Sequence, residues 1–287
     1  MRRFLISLLF TLIVCAAPTS GAEDFKAGNR KVLTVDGIEY AFRWCPPGEF
    51  MMGSPEGEPG RDDKKNDEKR HQVKLTQGFW MLETEVTQEM WKSVMGKNPS
   101  EFKGPRKPVE KVNWEECQSF CQKLSGKLGQ KVQIPTEAQW EYACRAGTTG
   151  AFAGDLDSMA WYKKNSKERT HKVGQKEPNA WGLHDMHGNV WEMCADWYGS
   201  SYYEVSPMAD PENAARPTSP SPLPETKKGS IVVSCASPPR VCRGGAWDLS
   251  DGDCRSAKRG GFYRGSRSAS LGLRVVLIPG QESSERR

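Results

Sequence analysis

The sequence predicts a loop-rich α+β fold, low in regular secondary structure. Three observations point there. The 287 residues include 28 glycines and 19 prolines at a mean hydropathy of −0.68, so turns and irregular segments take a large share of the chain. Short runs with strand character flank tight turns, as at Lys31 to Val35 and Tyr40 to Cys45 around Asp36-Gly37. Capping signals at Thr87, Asn113 and Thr136 open short helices rather than long ones. With 37% apolar and 27% charged residues, the chain suits one large domain or two small ones.

The N-terminus carries Arg2 and Arg3, an apolar run from Phe4 to Ala17 and small residues at Ser20-Gly21-Ala22. This reads as a signal peptide, residues 1–22, cleaved near Ala22, which places the mature chain in a secreted or periplasmic compartment. The run is too short to span a bilayer, Val14 is too large for the residue that a lipid anchor at Cys15 needs before it, and no second apolar run follows. Eight cysteines remain in the mature chain: Cys45, Cys117, Cys121, Cys144, Cys194, Cys235, Cys242 and Cys254. An even count in an exported chain favours disulfides, and the lack of any Cys-x-x-Cys pair argues against zinc. The net charge of +5 is modest, and Lys and Arg alternate with Asp and Glu along the chain, so no nucleic-acid footprint stands out.

After the first hairpin, the charge-dense residues 54 to 71 read as a solvated loop. Strands follow at Gln72 to Leu75 and Phe79 to Leu82. Thr87 then caps a helix to about Val94, stopped by Gly96. Asn113 and Glu116 form a capping box, after which Trp114, Cys117, Cys121 and Leu124 share one apolar face. Bonding Cys117 to Cys121 would strain that helix, so each points to a distant partner or to the core. Thr136 and Gln139 open a helix from Glu137 to Arg145. Glu137 reads as favourable first-turn charge, Glu141 as a surface or hydrogen-bonding group.

Residues 148 to 181 have no regular period, which in a compact domain suggests function or an ion that ties them down. The densest stretch runs from Gly182 to Tyr198. Its acidic groups flank a Gly188-Asn189 turn, spaced for their oxygens to converge. His184 and His187, three apart, read as ordinary histidines, since the chain holds too few for a transition-metal site. Residues 204–238 are a Pro/Ser-rich insertion loop, residues 271 to 278 a final strand, and 279–287 a tail.

Six segments in order resemble the sulfatase-modifying-factor family, that of the formylglycine-generating enzymes. They are Pro47 to Ser54, Glu85-Val86-Thr87-Gln88, Pro135 to Glu141, Gly182 to Trp197, Arg243-Gly244-Gly245-Ala246-Trp247 and Leu271-Gly272-Leu273-Arg274. The resemblance covers about residues 30–278. It implies a single α+β domain of the formylglycine-generating-enzyme fold, a relative of C-type-lectin-like folds, held by calcium. The positions matching the family's calcium ligands are Asp185, Gly188, Val190 and Glu192.

The family's enzymes oxidise a sulfatase cysteine to formylglycine with oxygen and copper(I), the metal held by two cysteines shortly after the Gly-Gly-Ser-aromatic motif. Here Ala246 replaces that serine, and Leu249 stands where the first cysteine falls by ungapped counting. Cys254 remains as the one catalytic candidate, and in a second register it matches a structural cysteine that would bond Cys144. One thiolate makes a poor copper(I) site, so copper is not expected. The resulting expectation is a calcium-stabilised domain that binds an exported protein or peptide, a sulfatase among the options, through a cleft at Trp191, Arg243, Trp247, Arg255 and Arg274. The alternative is the copper- and oxygen-dependent oxidase itself.

Overall fold

In a computed structural model, which describes residues 25–65, 67–216 and 238–279, two curled sheets and three main helices enclose two large hydrophobic clusters and a small third one. The expected leader at 1–22, most of the expected insertion at 204–238, Cys235 and all but the first residue of the expected tail lie outside the described residues.

The larger sheet is built from β1 (Arg30–Val35), β2 (Ile38–Cys45), β5 (Phe79–Leu82), β6 (Lys131–Gln133) and β11 (Val276–Ile278). Its order is β1-β2-β5-β11-β6, all antiparallel. The Asp36-Gly37 turn joins β1 to β2 with both residues at positive φ, as a two-residue hairpin demands. A separate hairpin pairs β3 (Gly48–Met52) with β4 (His71–Leu75). The second sheet orders β10 (Leu271–Gly272), β7 (Trp191–Trp197), β8 (Arg240–Arg243) and β9 (Gly260–Phe262), with only the β10–β7 pair parallel.

The capping signals are met. Helix α1 (Gln88–Met95) is capped by Thr87 and ended by Gly96 in the left-handed region. Helix α2 (Trp114–Leu128) starts on the Asn113–Glu116 box, and α3 (Glu137–Arg145) on the Thr136–Gln139 box. Ala146 at φ 45° ends α3. A single turn, α4 (Leu156–Met159), opens the long irregular region. Trp91 stacks on Phe120 at 5.2 Å, joining α1 to α2 over the larger sheet, while Cys117, Cys121 and Leu124 lie in the same core.

Three expectations change. The final strand is broken into β10 and β11, because Arg274 between them turns its side chain inward. The acid-bearing stretch Trp191–Trp197 is a nearly fully buried strand, its Glu192 and Asp196 satisfied internally.

The disulfide expectation is overturned. The seven described cysteines are free and buried, Cys144 and Cys254 among them. The Cys144 Sγ lies 3.8 Å from the Met186 carbonyl and from His187 Nε2. Cys254 instead turns its thiol against Gly245 and into a small cluster with Ala160 and Tyr162. In this fold the thiols act as small core hydrophobes.

Candidate functional site

The Gly182-to-Tyr198 stretch enters β7 through a tight bend. Asp185 and Asn189 both adopt positive φ, 58° and 55°, on either side of Gly188 at φ 88°. Gly188 is required twice over, since a Cβ there would stand 2.2 Å from the Trp161 carbonyl oxygen. Asn189 ties the bend down: its Oδ1 accepts from the His171 amide at 3.0 Å, and its Nδ2 donates to Glu85 Oε1 at 3.0 Å. Asp185 Oδ2 accepts from the Gly174 amide at 2.7 Å, so both side chains stitch the irregular 148–181 region to the sheet.

Beneath the bend lie three buried carboxylates, Glu85, Asp185 and Glu192, and one guanidinium, Arg274. Arg274 grips Glu192, with Nη2 to Oε1 at 2.8 Å and Nε to Oε2 at 2.9 Å. Trp140 Nε1 donates to the same Oε2 at 2.7 Å. Among the described residues, Asp185 Oδ1 and Glu85 Oε2 are buried with no hydrogen-bond partner. Burial, then the mutual repulsion of these acids, pushes the Glu85 carboxyl well above its usual range; burial first also raises Asp185.

A calcium ion therefore fits the four matched positions unevenly. Asp185 offers an unused oxygen in a site with surplus negative charge, which suits a hard cation. Glu192 has no free lone pair, because Arg274 and Trp140 engage both of its oxygens. Gly188 and Val190 contribute only backbone carbonyls, and Val190 is fully buried. Among the described residues, no group of three or more His, Cys, Asp or Glu side chains converges as a metal site.

Of the five residues matched to a cleft, only Trp247 is half-exposed. Arg243, Arg255 and Arg274 are fully buried, and Trp191 is 8% exposed. Arg243 Nη2 meets Glu141 Oε2, and its Nη1 donates to the Ala257 carbonyl at 2.8 Å. Arg255 forks onto Glu68 at 2.8 and 2.9 Å and reaches Glu58 at 2.7 Å. Arg259 forks onto Glu137 at 2.7 and 2.9 Å. Buried charges persist where each is paired and hydrogen-bonded, so these arginines bolt loops onto α3 and the β3–β4 region. Sequence reasoning missed this role for Glu137 and Glu141. The run Arg255 to Arg259 held the signal, since guanidinium groups close to a core segment need buried carboxylates.

Trp247 is fixed by its Nε1 bond to the Ala269 carbonyl at 3.1 Å, and its ring meets Phe102 edge-on at 5.4 Å. The Cys254 thiol is fully buried, and burial raises its pKa, which disfavours the thiolate. A Cβ on Gly245 would come within 2.7 Å of Cys254 Sγ, so the Gly-Gly motif closes directly over that thiol. Leu249 packs partly buried against the main core. His187 is neutral: its Nδ1 donates to the Cys254 carbonyl at 2.8 Å and its Nε2 accepts from the Ala153 amide at 3.1 Å. Burial pushes its pKa down to about 4.

Among known proteins, the model of the sulfatase-modifying factor enzyme 1-like domain matches residues 39–278. The chain is 27% identical to the chaperone protein LppX of Paenibacillus barcinonensis over 253 residues, 69% of this chain and 79% of that one. It is 30% identical to the formylglycine-generating enzyme of Streptomyces coelicolor over 192 residues, 60% of this chain but only 53% of the enzyme. The solved structure of Treponema denticola variable protein 1 superposes with a TM-score of 0.72 at 29% identity, covering 87% of this chain and 99% of that one.

Proposed function

Because the chain belongs to the family of sulfatase-modifying factor enzyme 1-like domains, we propose that it is an exported, calcium-stabilised member that binds a polypeptide rather than oxidising one. The observation that carries this reading is the state of Cys254. The thiol is fully buried under Gly245, with Leu249 at the place of the partner cysteine, so no accessible thiolate pair stands where the oxidases hold copper(I). Similarity to a protein named as a chaperone supports a polypeptide ligand. The half-exposed Trp247 is the reachable member of the expected cleft, with Trp191, Arg243, Arg255 and Arg274 forming the framework behind it.

In this reading the fold keeps its kinship with C-type-lectin-like domains, in which irregular loops present a ligand surface. The domain itself spans about residues 30–278, preceded by the cleaved leader at 1–22. Calcium at Asp185, with the carbonyls of Gly188 and Val190, would neutralise surplus charge beneath the bend. Glu192 would have to share its oxygens between the ion and Arg274.

Copper(I) titration of the purified mature chain, run beside an oxidation assay on a sulfatase-type cysteine peptide, tests the reading. The expected result is no tight one-to-one copper binding and no aldehyde. Aldehyde formation would overturn it in favour of the oxidase.

A further inference from the structure

Two loops that are far apart in sequence are joined beside Trp247. The Val173 amide donates to the Arg106 carbonyl at 2.9 Å, which lays residues 163–176 along residues 102–107. Lys103, Arg106, Lys167, Arg169 and Lys172 are exposed on the joined loops, and Lys107 is half-buried between them. Among the described residues, none of these six forms an ion pair with a carboxylate. Their polar contacts are to carbonyls, as Lys103 Nζ to Asn98 at 3.2 Å and Arg169 Nε to Lys167 at 3.4 Å. The one acid within the two loops is the exposed Glu168. Elsewhere on the surface, lysines such as Lys111 and Lys127 sit on carboxylates, and within the second loop Lys164 pairs with Asp157 at 2.6 Å. Partial burial, then Arg169, lowers the Lys107 pKa; burial first lowers that of His171, with Lys107 and Arg169 adding to it and the ring's hydrogen bond to the Ser166 carbonyl opposing it. Cations thus outnumber acids here, with Lys164 on Asp157 and Glu110 acting on Lys107 as the partial compensation, against a net charge of only +5 for the chain.

The aromatic groups on this face decide among polyanions. Phe102 has Lys107 over its ring at 5.5 Å and Trp247 at its edge. Trp161 is stacked by His171 at 3.8 Å and has Lys176 over its ring at 4.5 Å. Phe102 and Trp161 thus already carry the chain's own side chains over a ring, which leaves them poorly placed to stack nucleobases or sugars. Ammonium and guanidinium groups remain free, which suits carboxylates on an extended chain.

We propose that the joined loops 102–107 and 163–176, with Trp247 beside them, are the docking surface for an acidic polypeptide segment. This rests on the polypeptide-binding reading above and names the class of its ligand. The basic residues steer the partner and hold its Asp and Glu side chains, while Phe102 and Trp247 offer apolar edges between them.

The test is calorimetric titration of the mature chain with octaglutamate, a neutral Gly/Ser/Ala octapeptide, octalysine and a heparin octasaccharide. Octaglutamate binding should weaken about tenfold between low and physiological salt, as solvent-exposed charge pairs do. Lys103→Glu with Arg106→Glu, and separately Arg169→Glu with Lys172→Glu, should each weaken it by about tenfold or more. Lys131→Glu on the edge strand β6 should leave it unchanged, and circular dichroism should match for all variants. Heparin binding without octaglutamate binding overturns the proposal. So does octaglutamate binding that ignores both double reversals. Binding of the neutral peptide alone overturns the acidic preference yet leaves the polypeptide reading standing. Failure of every peptide, together with aldehyde formation in the oxidase assay, removes both.

Discussion

Arg274 and Glu192 form a closed pair between the two sheets: the carboxylate on β7 takes two guanidinium nitrogens at 2.8 to 3.1 Å, and both side chains are essentially unexposed. Arg274 uses its remaining capacity on the carbonyls of Leu82 and His184, at 2.9 and 2.8 Å. One residue thus ties β5 and the Asp185 bend to the second sheet.

Removing one partner leaves a buried charge without compensation. Glu192→Gln is expected to lower unfolding free energy by about 3–5 kcal/mol in urea denaturation. The double variant Glu192→Gln with Arg274→Met should recover part of that loss, since no naked charge then remains. A single variant within about 0.5 kcal/mol of wild type would show the pair to be dispensable.

Calcium is expected to raise the melting temperature and a chelator to lower it. At a hundred times its dissociation constant a bound ion contributes about 2.7 kcal/mol. Asp185→Asn should abolish the calcium-dependent part, because Asp185 Oδ1 is, among the four matched positions, the buried side-chain oxygen with no partner among the described residues. This variant separates the ion from the Arg274 pair, which Glu192→Gln cannot do. A chelator-insensitive wild type would refute the site.

Reduction should leave stability unchanged. Losing a native disulfide costs about 2–5 kcal/mol, a readily measured shift. Here Cys144 and Cys254 are free, and burial pushes the Cys144 thiol up to about 12. An aromatic disulfide reagent should modify both within seconds in urea and far more slowly in the native state. A lower melting temperature in reductant would contradict this.

Acid should act through His187 with a defined sign. Its folded pKa of about 4 lies below the unfolded value, so the unfolded state binds more protons between roughly pH 4 and 6.5 and stability falls as pH falls through that window. From pH 7.5 to 5 the cost is about 2 kcal/mol for this fully buried ring. Asp196 opposes it: burial, then Glu137, raises its pKa to about 7, so its contribution is full below the unfolded value and is lost as pH rises toward 7. Burial raises the Glu110 carboxyl to about 7 as well, so it opposes His187 in the same sense. Asp196→Asn combined with Glu110→Gln should reveal the His187 slope, with stability falling toward pH 5. A flat profile for that variant would refute the assignment.

The helix starts were legible because a cap is a local event: Thr87, Asn113 and Thr136 each bond to a backbone amide three residues ahead. The Asp36-Gly37 hairpin was legible for the same reason, and the ordered motifs identified the family before any contact was known. Burial of charge was not legible. Glu141 read as a surface or hydrogen-bonding group because its partner Arg243 is 102 residues away, and Arg274 meets Glu192 across 82. The even cysteine count suggested bridges, yet pairing depends on where thiols point in space, and Cys144 and Cys254 point into different clusters. Charge interleaved along the chain looked diffuse until the Val173–Arg106 bond laid two basic loops side by side. Local hydrogen bonds and turn chemistry are written in adjacent residues, so the sequence by itself determined the three capped helices, the first hairpin and the family. Which charges are buried, which thiols stay apart and which cations share a face depend on long-range juxtaposition, and only the tertiary structure decided them.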